Sequence, residues 1–284
     1  MTKLDPRITP YRPDLAARHL EGAVEAERYV EGVARQVSGG VVDLRCRPCD
    51  RAPLESQLLG GEVVRIFEDQ DGWAWLQNDT DSYVGYARSD SMSAVIYAPN
   101  HVVTVPRSIV YSEPNPKAPA LDALALSGSV AVVGESAGFS ERAGGGWLYS
   151  RHLAPITECA PDHVATALAF LGAPYLWGGK TNLGLDCSGL VQVALHRAGM
   201  PCPRDADQQA ASLGAGHPPG TPLLRGDLIY FPGHVAIALD DWRVVNANAH
   251  DMLVAIEPLA DLVMRVEEIS GQGVTAIRRL PNDG

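Results

Sequence analysis

The sequence predicts two small all-β barrels followed by an α+β domain, and three observations carry that expectation. Between residues 41 and 158 short apolar runs alternate with turn residues at close spacing, as in small barrels. The same stretch holds a weak internal repeat of about 60 residues. From about Ala160 helical periodicity returns and a series of β-type runs follows it, which is the α+β order.

Residues 1–40 form a lead-in. Its Ala- and Glu-rich part, from about 13 to 36, predicts a short helical or irregular segment, with Gly22 weakening any single long helix. The first barrel spans 41–97, with runs at Val41–Leu44, Leu58–Leu59, Glu62–Phe67, Trp73–Leu76 and Tyr83–Ala87. The second spans 98–158, with runs at His101–Val105, Ser108–Tyr111, Leu124–Leu126, Val130–Val133 and Gly146–Tyr149. In each, a Pro-containing loop precedes a central apolar strand, and a Gly-Trp pair opens a later aromatic strand (Gly72-Trp73 and Gly146-Trp147). Trp73, Trp75 and Trp147 are expected in the barrel cores.

The third domain spans 159–284. Val164 to Leu171 reads as a helix closed by Gly172 and Pro174. Residues 187 to 198 place Leu190, Val191, Ala194, Leu195 and Ala198 on one helical stripe, with Gly199 and Pro201 marking its end. Strands are expected at 227–231, 234–239, 243–247, 253–256 and 274–280.

The 284 residues are 46% hydrophobic and 20% charged, with a net charge of −11. An acidic surface argues against nucleic acid or anionic membrane as main partner, since both attract Lys and Arg. There is no run of about 18 apolar residues to span a bilayer. Nor does the N-terminal sequence show the apolar stretch of a signal peptide, so the expected location is the cytoplasm. Oligomeric state is not legible. The five cysteines, Cys46, Cys49, Cys159, Cys187 and Cys202, are an odd number and fit a reducing compartment. Cys46 and Cys49 make a C-x-x-C, but it has no second ligand pair and the residues after it read as a loop. No metal or organic cofactor is implied.

Chemistry concentrates in the third domain. Asp186 is a good helix N-cap and puts Cys187 in the first turn, where free backbone N–H groups and the helix dipole favour a thiolate. The same N–H groups can hold an oxyanion. A cysteine nucleophile needs a base. His234 opens a strand in which it shares a face with Ala236 and Ala238, the small-residue face that the cysteine helix is expected to approach. A hairpin centred on Asp240 sets His234 opposite Asn246, whose amide can orient the imidazole. His250 is the rival for that third position, four residues further along. Together the three make the Cys-His-polar arrangement of papain-like peptidases.

At this point the resemblance becomes specific. Ala173-Pro174-Tyr175-Leu176-Trp177-Gly178-Gly179, Asp186-Cys187-Ser188-Gly189-Leu190-Val191, Pro203-Arg204-Asp205-Ala206, Arg225-Gly226-Asp227-Leu228-Ile229-Tyr230-Phe231 and Gly233-His234-Val235 follow in order. They resemble the NlpC/P60 family of cell-wall peptidases, over about Cys159 to Leu280. The upstream barrels resemble the bacterial SH3-like domains that often precede that catalytic domain. The resemblance implies a papain-like α+β fold with Cys187 as nucleophile, His234 as base and Asn246 as third residue, where many relatives carry His. It implies cleavage of the γ-D-glutamyl–diamino-acid bond of peptidoglycan stem peptides.

By the same resemblance Tyr175 sits beside the nucleophile, and Asp186 and Ser188 bind the free amine of an N-terminal L-alanine. Arg204 is a further candidate substrate residue, and Glu62 and Tyr83 of the first barrel are candidates to cap the site. Trp177 is expected to be structural. Murein peptide recycling is the expected role. An endopeptidase or amidase acting on intact peptidoglycan, and a non-catalytic wall-binding protein, are the alternatives.

Overall fold

A computed structural model describes residues 4–281. It divides into two compact units, one ending at Glu158 and the other beginning at Cys159.

The first unit opens with β1 (Ala16–Ala17) and β2 (Tyr29–Val30), a short parallel pair around a 3-10 turn. The expected helical lead-in does not form. Leu15, Ala16, Ala17 and Leu20 are buried as a cluster of neighbours rather than as a helical stripe, and the backbone of Ala16 and Ala17 pairs with Tyr29 and Val30. Arg12 stacks over Trp75 at 4.4 Å and pairs with Glu68, fastening this segment to the barrel.

The first barrel uses β3 (Val33–Val37), β4 (Val41–Arg45), β5 (Leu54–Leu59), β6 (Val63–Gln70), β7 (Trp73–Asn78), β8 (Val84–Arg88) and β9 (Met92–Ser93). They join in the order β5-β4-β8-β7-β6-β3-β9, so the sheet begins before the expected Val41. Leu44, Leu58, Val64, Leu76 and Ala87 alternate inward and form the core.

The second barrel repeats this plan with β10 (His101–Val103), β11 (Arg107–Tyr111), β12 (Ala120–Ala125), β13 (Ser129–Val130), β14 (Val132–Ser136), β15 (Phe139–Arg142), β16 (Trp147–Tyr149) and β17 (Leu153–Pro155). Its sheets run β12-β11-β16-β15-β14 and β13-β10-β17, the first barrel's order with the strand equivalent to β6 cut in two. In the first barrel β6 stays whole and bends at a bulge between Ile66 and Glu68. Val110, Leu124 and Val130 fill the places of Leu44, Leu58 and Val64.

The second unit contains α1 (His163–Leu168), β18 (Lys180–Thr181), β19 (Gly184–Leu185), α2 (Cys187–Arg197), α3 (Ala206–Ser212), β20 (Ala215–His217), β21 (Leu228–Phe231), β22 (His234–Ala238), β23 (Arg243–Asn248), β24 (Leu253–Pro258), α4 (Leu259–Ser270) and β25 (Ala276–Arg279). Six strands make one antiparallel sheet, β20-β25-β21-β22-β23-β24. Helix α2 packs on β22 and β23. Helix α4 lays Leu259, Leu262, Val263 and Val266 against Ile229, Phe231, Ala236, Ala238 and Val244. No helix among the described residues is long and apolar enough to cross a membrane.

Candidate active site

The chain reaches the site through the β18–β19 hairpin and turns into α2 at Asp186. Asp186 is the N-cap: its Oδ1 accepts the Gly189 N–H at 2.7 Å. The same oxygen accepts Ser188 Oγ at 3.3 Å and Arg204 Nη1 at 2.9 Å. Oδ2 accepts the Gly178 N–H at 2.8 Å and Arg204 Nη2 at 2.6 Å. These donors fill the roughly four lone-pair directions of a carboxylate. Asp186 therefore acts first as the clamp of the cysteine loop, and the direct amine contact expected of it meets an occupied carboxylate. Arg204 is 1% exposed, so this expected substrate residue lies behind the site as the partner of Asp186 and Ser188. Gly189 lets α2 rest directly on the loop, because a Cβ there would run into the Gly179 carbonyl.

Cys187 is buried at the start of α2, where its sulfur accepts the N–H groups of Ser188 and Val235. The helix start was expected to favour a thiolate. Burial, followed by the Asp186 charge, instead pushes the thiol up to about 12, outweighing the two N–H bonds. Tyr175 is half-buried, and its phenol is pushed up to about 12 by burial and then by Cys187 and Asp186. The hydroxyl therefore stays protonated, a hydrogen-bond donor within electrostatic reach of Cys187. Trp177, two residues on, is 63% exposed instead of occupying the structural position expected of it.

The β22–β23 hairpin differs from the expected register. Leu239 N–H bonds the Arg243 carbonyl at 2.9 Å, and Ile237 pairs with Val245 and Ala238 with Val244. The turn is thus centred on Asp241 rather than Asp240, and Asn246 lies diagonal to His234 on the same face. The shift follows from Asp240, whose Oδ1 accepts the N–H groups of Trp242 and Arg243 at 3.1 and 2.8 Å and closes a three-residue loop. The ladder pairs only near this turn, and at its other end Val235 turns its N–H to Cys187. On the small-residue face shared with His234, Ala236 and Ala238 pack against α4.

His234 is half-buried overall, but its Nε2 is enclosed. Desolvation lowers the imidazole to about 4, against an upward pull from Asn246 and Glu257. Asn246 is 1% exposed, and both its Oδ1 and His234 Nε2 lack a formed hydrogen bond. His250, the rival third residue, is exposed in the turn after β23. Two residues absent from the expected site stand behind Asn246. Its Nδ2 donates to Glu257 Oε1 at 2.8 Å, and Arg265 Nη2 donates to both Glu257 oxygens at 2.8 Å each. The repeat of apolar residues at 259, 262, 263 and 266 was the available signal for α4, which carries Arg265.

The remaining candidates lie in the first unit. Tyr83 belongs to the core of the first barrel. Glu62 is 7% exposed, and its Oε2 accepts the Leu59 N–H at 2.8 Å and Asn78 Nδ2 at 3.2 Å. Tyr83 thus packs in the barrel core, and Glu62 is buried at the turn into β6. Cys46 and Cys49 are exposed free thiols in the loop between β4 and β5.

Comparison with known proteins bears on the whole arrangement. Residues 172–269 match the NlpC/P60 family, and residues 44–92 match the bacterial dipeptidyl-peptidase Sh3 domain. The chain is 30% identical over 237 residues to dipeptidyl-peptidase 6 of Lysinibacillus sphaericus, covering 73% of this chain and 85% of that protein. It is 25% identical over 241 residues to the gamma-D-glutamyl-L-lysine dipeptidyl-peptidase of Bacillus cereus, covering 72% of this chain and 71% of that one. A solved NlpC/P60 family protein from Bacillus cereus shares the fold, with a TM-score of 0.74 and 21% identity over 87% of this chain and all of the other. A chain so matched belongs to the NlpC/P60 family, and the protein is a cysteine peptidase.

Proposed function

We propose that Cys187, His234 and Asn246 are nucleophile, base and third residue of a peptidase that hydrolyses the γ-D-glutamyl–diamino-acid bond of stem peptides with a free N-terminal L-Ala. The role is the reuse of released wall peptides. The observation that carries the assignment is the sulfur of Cys187 held at the N-terminus of α2 by the N–H of Val235, the residue following His234.

With the thiol near 12 and the imidazole near 4, both groups are neutral at pH 7. Proton transfer therefore accompanies attack. Nε2 is turned to Asn246, and Nδ1 takes the thiol proton as sulfur bonds the γ-carbonyl carbon. The oxyanion forms at the helix start, where backbone N–H groups and the protonated Tyr175 stabilise it. The imidazolium then gives its proton to the departing amine, leaving a thioester. Water, deprotonated by the same histidine, hydrolyses the thioester and frees the thiol.

Recognition of the amine is assigned to the field of Asp186, felt at both Cys187 and Tyr175, together with Ser188. The names of the two relatives support the dipeptidyl specificity. The test is mass spectrometry of products from L-Ala-γ-D-Glu-L-Lys, its diaminopimelate counterpart, their N-acetylated forms and intact sacculi. Release of L-Ala-γ-D-Glu from the free tripeptides, at a rate about tenfold or more above the acetylated forms and sacculi, is expected. Equal cleavage of free and acetylated peptides would remove amine recognition, and activity surviving in Cys187→Ala would remove the nucleophile.

A further inference from the structure

An asparagine in the third position sets a problem that a histidine does not. The two ends of its amide have nearly the same shape, and only one of them suits the reaction. Oδ1 toward the imidazole accepts an N–H and holds the ring in one tautomer. Nδ2 in the same place would face an N–H with another donor and turn the ring or its tautomer the wrong way. Packing alone does not choose between the two orientations, so the choice must come from whatever bonds the far end of the amide.

In this chain the far end meets Glu257. A carboxylate only accepts, so only Nδ2 can face it, and the 2.8 Å bond to Oε1 follows. Asn246 and Glu257 share one face of the sheet, because Asn246 pairs with Ala255 and Val244 with Glu257. The carboxylate is in turn gripped by Arg265 of α4 through both oxygens, with side-chain exposures of 11% for Glu257 and 20% for Arg265. Asn248 also approaches Oε1, at 3.4 Å, and its own amide is set by Asp251 through bonds of 2.7 and 3.2 Å. That leaves Asn246 Oδ1 as a buried acceptor with no formed bond, beside an equally unsatisfied His234 Nε2. An isolated buried acceptor is costly, and a tightened bond to the ring recovers that cost.

We infer that Glu257, gripped by Arg265, is a positioning residue of the reaction, which fixes the Asn246 amide so that its oxygen faces the His234 imidazole. The inference rests on the proposed Cys187-His234-Asn246 assignment. Glu257 touches neither substrate nor sulfur and acts through Asn246. It also restores at one remove the charge that an asparagine lacks. The charges acting on the imidazole are Glu257, which raises its pKa, and Arg265, which lowers it; Asp251 reaches the group only through Asn248, and the Phe231 ring lies 6.1 Å away.

The experiment compares Glu257→Gln, Arg265→Gln and Asn246→Ala in the full chain. The His234 ring is titrated by NMR, and turnover of L-Ala-γ-D-Glu-L-Lys is measured. Glu257→Gln is expected to move the imidazole pKa down and to lower kcat by about tenfold or more with KM within about twofold. Arg265→Gln is expected to move that pKa up. Adding Glu257→Gln to Asn246→Ala is expected to cost nothing more, since the path through the amide is already gone. Shifts of the same sign in the two single variants, a kcat for Glu257→Gln within about twofold of the parent, or a full additional loss in the double variant would each overturn the inference. Should melting show Glu257→Gln to be unfolded, Arg265→Gln decides: an upward shift supports the inference and an unmoved pKa overturns it. Residual activity in Cys187→Ala would instead overturn the underlying assignment, whereas a dead Cys187→Ala beside an unaffected Glu257→Gln overturns this inference alone.

Discussion

Cys187 carries two opposed influences. The first turn of α2 and two main-chain N–H groups favour its thiolate, while enclosure and the Asp186 charge favour the thiol. Enclosure wins because desolvating an anionic sulfur costs more than two N–H bonds return. The sign of the pH effect follows directly. With a pKa near 12, the thiolate fraction rises about tenfold per pH unit through the neutral range and does not level off. Alkylation by iodoacetamide, measured in a Cys46→Ser, Cys49→Ser, Cys159→Ser background that removes the exposed thiols, should show that slope between about pH 6 and 9. A rate already flat from about pH 5 upward would mean a resting thiolate–imidazolium pair and would sink the general-base sequence. The histidine obeys the same rule with opposite sign, since loss of water around its ring disfavours the charged form.

At the level of elements, the site depends on how closely α2 approaches the loop before it. Gly189 lies in the first helical turn, where glycine ordinarily weakens a helix by about 1 kcal/mol. Here it is required by contact, because any Cβ would enter the space of the Gly179 carbonyl. Gly189→Ala should therefore destabilise the second unit by about 1–3 kcal/mol despite the better helix propensity of alanine. It should also lower turnover more than tenfold, by tilting α2 and drawing Cys187 away from Val235. Thermal melting and kcat check the two halves of this expectation, and an unchanged or raised melting temperature would contradict it. The β22–β23 pair works by the opposite device. Its two strands are tied near the Asp240 turn, and the far end presents the Val235 N–H to the sulfur.

For the molecule as a whole, two repeats of one strand order precede one catalytic fold, each with its own apolar core. The net charge of −11 is a property of the entire chain and bears on what it meets. A wall carrying anionic polymers repels such a surface, while a short zwitterionic peptide does not. Co-sedimentation with intact sacculi should accordingly be weak at low ionic strength and should not fall as salt rises from about 20 to 200 mM, where screening shortens the reach of the repulsion. Retention that is strong in low salt and lost in high salt would indicate a basic wall-binding surface and contradict the preference for released peptides.

By itself the sequence determined the β-rich part ahead of the α+β part, the start of α2, its stop at Gly199, and the placing of Cys187 on a helix and of His234 on a strand. These are local facts. Caps, turn residues and periodicity act over a few positions, and a motif lists residues that lie next to one another along the chain. The nearness of Asn246 to His234 was legible, although by a register centred one position too early, because the Asp240 side chain chose a longer loop than the apolar pattern required. Only the tertiary structure decided the rest. It withdrew Arg204 behind Asp186, filled the lone pairs that an ammonium was expected to use, placed Glu62 and Tyr83 within the first barrel, and exposed Trp177. It also set Glu257 and Arg265 behind Asn246. The physical reason is common to all of these. Desolvation, lone-pair occupancy and ion pairing depend on which distant residues crowd one point in space, and neither a residue's type nor its spacing along the chain records that.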